Sequence, residues 1–310
     1  MIDTRRLHTL RAVADHGTVT AAAAALFVTP SAVSQQLNAL EQETGHRLVE
    51  RGARGVRLTP AGEILLGHTN AVLAQLERAE ADLAAYGSGA TGTVTVASFA
   101  TGIALVVAPA VAHCGRTAPG ITIRVRDCEG DASLPMVLAR QVDVAVAVEY
   151  RGAPADDPRL THVPLYAEPF DAVVPASHRL AGAESVPLAE LARDTWAGPY
   201  PGNPCHDVVV IACEAAGFQP RYAHSSDDFR AVVALVAAGA GVALVPRSAL
   251  RGMDLAAVAV RPLQAVAPAR RVFAAVRRGA EDHPLIRPVL GALGAAARPW
   301  NPSPADAPPG

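Results

Sequence analysis

From Thr29 onward the apolar residues Val33, Leu37 and Leu40 recur at i, i+4 and i+7, which predicts a helix with one buried stripe. Thr29 can cap its first turn, Pro30 suits the first helical position, and Gly45 supplies a stop. Ser31, Ser34, Gln35 and Asn38 fall on the opposite face, where short hydroxyl and amide side chains can donate and accept hydrogen bonds. Upstream, Leu7, Leu10, Val13 and Ala14 give the stripe of a first helix, from Asp3 or Thr4 to His16, closed by Gly17. Thr18 or Thr20 can cap a second helix over Ala21 to Leu26, with Phe27-Val28 as the turn. Leu48 to Arg51 and Val56 to Leu58 read as a hairpin with Gly52 and Gly55 at its bend. Three short helices and a hairpin predict a winged helix-turn-helix over 1–58, whose third helix enters the major groove of double-stranded DNA, with a plain small helical subdomain as the alternative.

Thr59 and Pro60 start another helix, the linker over 59–87. Leu65, Thr69, Val72, Leu76, Ala79, Leu83 and Tyr86 alternate at spacings of four and three, a heptad seam, while Glu77, Arg78, Glu80 and Asp82 form a charged outer face. At 1.5 Å per residue the rod is roughly 39 Å long. An amphipathic helix packed on its own domain is the plainer alternative. The seam favours pairing with a second chain through Leu65, Val72, Leu76 and Leu83. The run from Gly87 to Gly92 then reads as a flexible hinge over 88–92.

Beyond residue 93, strand and helix patterns alternate. Strands are expected at 93–97, 121–125, 142–148, 163–166, 170–174, around Trp196, and at 221–223, 242–245 and 271–277. Helices are expected at 101–113, 131–139, 188–192, 205–216, 227–238 and 284–296. The alternation predicts an α/β domain over 93–298 with a largely parallel sheet. Two lobes, about 93–162 with 268–298 and about 163–267, would face a cleft. Ligands of such folds sit beyond the carboxyl ends of strands, near helix N-termini. Ser98 and Thr101 stand at such an end, with Cys128, Pro199, Tyr200, Asn203 and Asp227 as partners across the cleft, although each also suits a loop or a cap. Helix dipoles favour an anionic small molecule, and no Arg stands out as its counter-charge. Cys205-His206-Asp207 lie on one helix about 100° apart and do not converge, so no catalytic set is expected. The segment 299–310, with five Pro in twelve residues, is expected to be a disordered tail.

Composition adds limits more than content. Half the chain is hydrophobic and 18% is charged, which suits packed domains. A net charge of −2 rules out a bulk electrostatic pull on nucleic acid, so any basic footprint is local; residues 1–60 carry seven Arg against five acids. All 27 basic side chains are Arg, a compositional bias. The four cysteines form no CxxC pair, so neither a disulfide framework nor a zinc site is expected, and nothing calls for a metal or cofactor. Without a signal-like start or a membrane-length apolar run, a soluble cytoplasmic protein is expected.

The residues of 1–62 resemble the DNA-binding domain of LysR-type transcriptional regulators. The match runs through Gly17-Thr18-Val19-Thr20-Ala21-Ala22, Pro30-Ser31-Ala32-Val33-Ser34-Gln35-Gln36-Leu37, Leu40-Glu41, Gly45, Leu48-Val49-Glu50-Arg51 and Leu58-Thr59-Pro60-Ala61-Gly62. More loosely, Val142-Asp143-Val144-Ala145, Glu168-Pro169-Phe170 and the run from Asp227 to Pro246 resemble the same family's effector-binding domain, related to periplasmic solute-binding folds. The resemblance implies a homodimer or homotetramer joined through the linker helix, an inducer near Ser98 and Thr101, and an interrupted inverted repeat as target. Ser31, Ser34 and Gln35 would read base edges beside Thr29, Pro30 and Asn38. Arg51, Arg54 and Arg57 would meet phosphate or minor groove. Gln35 replaces a residue often basic in the family, and the second helix is all Ala where charges are common, which shifts weight to the wing arginines and to dimerisation. The competing reading is an α/β binding protein or enzyme with a helical appendage; an enzyme would need converging acid, base or nucleophile residues.

Overall fold

The computed structural model describes all residues except Met1, 53–54, 87–90, 129–131, 150–156, 265–266 and 301–310. Two compact units emerge: Met1–Leu83 with Arg278–Ala280, and Ala84–Arg277 with Glu281–Gly310. Among the described residues no helix is long and apolar enough to cross a membrane.

In the first unit α1 (Thr4–His16), α2 (Val19–Ala25) and α3 (Pro30–Thr44) precede a hairpin of β1 (Val49–Gly52) and β2 (Gly55–Leu58) and the long α4 (Pro60–Tyr86). The caps match the side chains available. Asp3, Thr18 and Thr29 each accept a first-turn N–H, and Gly17 and Gly45 close α1 and α3 in the left-handed region. Leu10, Val13, Ala22, Val33, Leu37, Leu40 and Leu48 form one sealed core. The wing is tied to it. Glu41 accepts the N–H groups of Leu48 and Val49 at 2.8 and 3.2 Å, and Val56 N–H donates to Gly17 O at 2.8 Å. A Cβ at Gly55 would collide with that same Gly17 carbonyl, so only glycine lets the wing approach.

Along α4 the expected seam divides. Val72, Leu76 and Leu83 are exposed, whereas Leu65 packs against the helical core and Thr69 is buried. Arg54 and most of the expected hinge lie outside the described residues.

The second unit begins with β3 (Gly92–Ser98), followed by α5, a helix built from Ala100–Gly102, one π turn at Ile103–Val107, and Ala108–Thr117. Next come β4 (Ile121–Asp127), α6 (Ser133–Leu138), β5 (Val144–Val148), β6 (Leu160–Pro175), β7 (Thr195–Gly198), α7 (Pro204–Ala215) and β8 (Arg221–Ser225). The chain continues through α8 (Phe229–Ala237), β9 (Ala243–Pro246), β10 (Val258–Arg261), β11 (Ala269–Arg277) and α9 (Ile286–Ala297). The strand order is β10-β6-β11-β5-β3-β4, with β9 also on β6 and β7–β8 as a separate parallel pair.

The sheet is mixed, which corrects the expectation of a largely parallel one. β3 pairs in parallel with β4 and β5, but β11 runs antiparallel to β5 and β6, and β6 antiparallel to β9 and β10. Alternation along a sequence does not report strand direction, because β11 returns from 120 residues away. The two strands expected at 163–166 and 170–174 are one sixteen-residue strand. Its first part pairs with β11, and its last residues, from Phe170, pair with β9 and β10. β6 is thus shared by both lobes. The core around Leu134, Val137, Val142 and Ala145 belongs to one lobe, and that around Trp196, Val209, Val232 and Leu244 to the other. The helix expected at 188–192 is a 3₁₀ helix, Leu188–Arg193, and Arg298–Trp300 is also 3₁₀. Trp300 lies under the Arg251 guanidinium at 4.2 Å, so the ordered chain extends into the expected tail.

Candidate DNA-reading face and effector site

α3 presents two unlike faces. Val33, Leu37 and Leu40 are fully buried, while Pro30, Ser31, Gln35 and Asn38 are exposed and Ser34 is half-buried. Thr29 Oγ1 accepts the Ala32 N–H at 3.2 Å and shares a hydrogen bond with Ser31 Oγ at 2.9 Å, so the cap also orients the first polar group. Gln36 points the other way, accepting from the Thr9 hydroxyl. Arg57 is exposed on β2, Arg51 belongs to β1, and Arg54 lies outside the described residues.

In the second unit the expected effector residues fall into two groups. Ser98 is fully buried at the end of β3, overlain by Gly102, and its carbonyl accepts the Cys128 N–H at 3.0 Å. Cys128 packs into the same lobe against Met136, with the sulfurs 3.6 Å apart. In the other lobe Asp227 Oδ1 accepts from Tyr200 N–H and from Asn203 Nδ2, both at 3.1 Å. Asn203 caps α7 through Cys205 N–H at 2.9 Å, Tyr200 is half exposed, and Pro199 is buried. Asp227 does not cap the following helix: Asp228 does, accepting Arg230 N–H at 2.8 Å. The expected cap lies one residue early because Asp227 is spent on the loop of Tyr200 and Asn203.

Thr101 joins the two groups through a residue the periodicity does not reveal. Arg270, 1% exposed, donates from Nη2 to Thr101 Oγ1 at 3.1 Å and from Nε to Glu168 Oε1 at 2.8 Å. Its Nη1 lies 3.7 Å from Cys205 Sγ, and its guanidinium stands 5.1 Å over the Phe99 ring. Glu168 and Arg270 are direct cross-strand partners of β6 and β11, next to the point where β6 passes from one lobe to the other. The Ser248 N–H and hydroxyl, just after β9, both donate to Glu168 at 2.7 Å. Burial works against the Arg270 charge, but Cys205 and Glu168 outweigh it and hold the guanidinium above its ordinary value. The Tyr166 hydroxyl is buried without a hydrogen-bond partner among the described residues, and burial pushes its pKa up.

The junction is therefore a compact polar cluster of Arg270, Glu168, Thr101, Cys205 and Tyr166, fed by both lobes. Arg270 is an arginine at this junction that the sequence did not single out. Its charge is matched by Glu168, so an anionic ligand is not favoured by charge alone. Cys205 and His206 diverge: the sulfur faces Arg270, and the imidazole faces the Tyr222 ring at 5.2 Å. His206 Nδ1 lies 3.5 Å from Asp207 Oδ1, so of the three neighbouring residues it is Cys205 that turns away.

Residues 4–63 match the bacterial regulatory helix-turn-helix protein, lysR family, and residues 87–298 match the LysR substrate binding domain. A probable hydrogen peroxide-inducible genes activator of Mycobacterium avium is 31% identical over 91% of this chain and 90% of its own. The structure of full-length CbnR, a regulator complexed with its target DNA, is 25% identical with a TM-score of 0.55, covering 96% of this chain and 100% of that one. A hydrogen peroxide-bound cysteine-to-serine mutant of OxyR from Corynebacterium glutamicum is 25% identical with a TM-score of 0.61, over 96% and 93% of the two chains. A reading helix on a sealed core, a two-lobed domain with a polar junction and two matching family domains lead to one conclusion: the chain belongs to the LysR family of transcriptional regulators, with a helix-turn-helix for DNA and a domain for a small-molecule effector.

Proposed function

We propose that α3 lies in the major groove, with Ser31, Ser34, Gln35 and Asn38 toward base edges and Thr29 and Pro30 at the backbone. Arg51, Arg54 and Arg57 then meet phosphate or minor groove. Two copies joined through Val72, Leu76 and Leu83 place two such helices on the half-sites of an inverted repeat. The carrying observation is the exposed polar face of α3 over fully buried Val33, Leu37 and Leu40. The effector binds where the lobes meet, at Thr101, Arg270, Asn203 and Asp227, with Ser98, Cys128, Pro199 and Tyr200 as the surrounding wall. Binding there shifts the angle between the lobes, because β6 runs through both. The protein works in the cytoplasm, in contact with the chromosome. In a gel shift, Ser34→Glu is expected to abolish operator binding while the circular dichroism spectrum stays that of the parent; retained affinity would remove α3 from the groove.

A second reading concerns the effector itself, and Cys205 favours it. Its sulfur lies 3.7 Å from a buried guanidinium in the first turn of α7, two features that stabilise a thiolate. The peroxide names of the relatives point the same way. In this reading the Cys205 thiolate attacks one oxygen of hydrogen peroxide. An S–O bond forms, the O–O bond breaks, and hydroxide leaves to be protonated to water, giving a sulfenic acid. Cys213 is no rival: burial pushes its thiol up to about 12, so it stays protonated at neutral pH. Peptide mass spectrometry of peroxide-treated protein should find one added oxygen on Cys205 and none on Cys213. An unmodified Cys205 would return the site to a reversibly bound ligand.

A further inference from the structure

The turn ahead of α3 holds a side chain that nothing inside its unit uses. α2 ends with Val28 N–H donating to Ala23 O at 3.0 Å and Phe27 N–H to Ala24 O at 3.2 Å, a Schellman closure that sets Phe27 at φ 56°. Glycine is the usual occupant of that position, because a Cβ there crowds the backbone. The chain itself uses glycine at the ends of α1 and α3, with Gly17 at φ 67° and Gly45 at φ 71°. Glycine is not scarce, at 25 residues against 6 Phe. Yet Phe27 keeps the strained backbone, and its ring is 96% exposed, so neither packing nor conformation inside the unit repays it. Next to it stand Val28, Thr29, Pro30 and Ser31, all exposed at the N-terminal end of α3.

We propose that Phe27 is a DNA-contacting, sequence-selecting residue whose ring rests on the 5-methyl group of a thymine at the edge of the major groove. The proposal rests on the reading of α3 as the groove helix. The thymine methyl is the apolar feature among the base edges of that groove, and phenylalanine is one of the side chains that contact it. A protein partner fits the surroundings less well. Val28 and Pro30 are the ring's only apolar neighbours among the exposed residues 28–31, Thr29 and Ser31 being hydroxyls, and one ring with these is far below the area of a stable protein interface.

The test uses the full-length protein and the duplex it selects from a random-sequence pool. Phe27→Asn keeps a residue that tolerates the left-handed turn, and is expected to melt at or above the parent temperature while binding about tenfold more weakly. Replacing single thymines by deoxyuridine, which lacks the methyl, should weaken the parent at one position per half-site and leave Phe27→Asn indifferent there. Unchanged affinity of Phe27→Asn, or an equal deoxyuridine effect on parent and variant, overturns the proposal. If the parent selects no duplex at all, the reading of α3 falls and this assignment falls with it.

Discussion

The face of α3 and the junction of the two lobes, which we propose as the DNA-reading and effector surfaces, are both polar and are built in opposite ways. On α3 the hydroxyl and amide groups stand in solvent over an apolar floor, and they repeat along a single helix. At the junction most of the polar groups are buried, and Arg270, Glu168, Thr101, Cys205 and Tyr166 come from four separate elements, Glu168 and Tyr166 both standing on β6. On the proposed function the difference follows from the ligand. A duplex is a large, rigid partner that brings its own surface, so the protein needs only a displayed row of donors and acceptors. A small effector has to be surrounded, and buried charges are tolerated there only when each is paired.

The comparison can be broken first at Arg270. Arg270→Ala leaves Glu168 buried with Ser248 but without its cation, and is expected to cost about 3–5 kcal/mol of stability in urea unfolding. The double change Arg270→Met with Glu168→Gln should recover much of that loss. A parent-like midpoint for Arg270→Ala would mean that the junction is wetter than its burial indicates.

The next comparison sets the two sides of α3 against each other. Leu37→Ala is expected to destabilise the first unit by about 2–5 kcal/mol. Gln35→Ala should leave melting unchanged and weaken DNA binding by about 1–3 kcal/mol. Equal effects of the two changes on melting would erase the distinction between floor and display.

A smaller effect concerns another buried charge, Asp157. Burial works against its ionised form, but hydrogen bonds from Arg159, at 2.8 Å from Nε and 2.9 Å from the backbone N–H, hold its carboxyl below the usual value. A depressed folded pKa means the stabilisation is complete above the ordinary carboxylate range, near pH 4, and fades as pH falls through the lower folded value. Urea midpoints measured from about pH 5 to about pH 3 should therefore fall less steeply for Asp157→Asn than for the parent. Identical slopes would show that the pair is not formed in solution.

How far each region could be read from sequence follows the same division. Thr18, Thr29, Gly17 and Gly45 are local punctuation, and the spacing of Val33, Leu37 and Leu40 states which face is buried. For that reason the helices, the wing and the polar face are legible in the sequence alone. The left-handed turn at Phe27 is not, because nothing in its neighbourhood marks a phenylalanine for a glycine's position. Nor is the junction. Glu168 and Arg270 are 102 residues apart, and they meet only through the register of β6 against β11.

The sequence by itself determined the order of elements, the helix caps, the buried stripes and, through a resemblance spread along the chain, the family. Only the tertiary structure decided that β6 is one strand serving two lobes, that the sheet is mixed, and that Arg270 and Cys205 share a site. The physical reason is that periodicity encodes whether a residue faces in or out, a property of its own neighbours. Pairing across a ladder depends on which distant strand supplies complementary hydrogen bonds and volume, and no local pattern carries that.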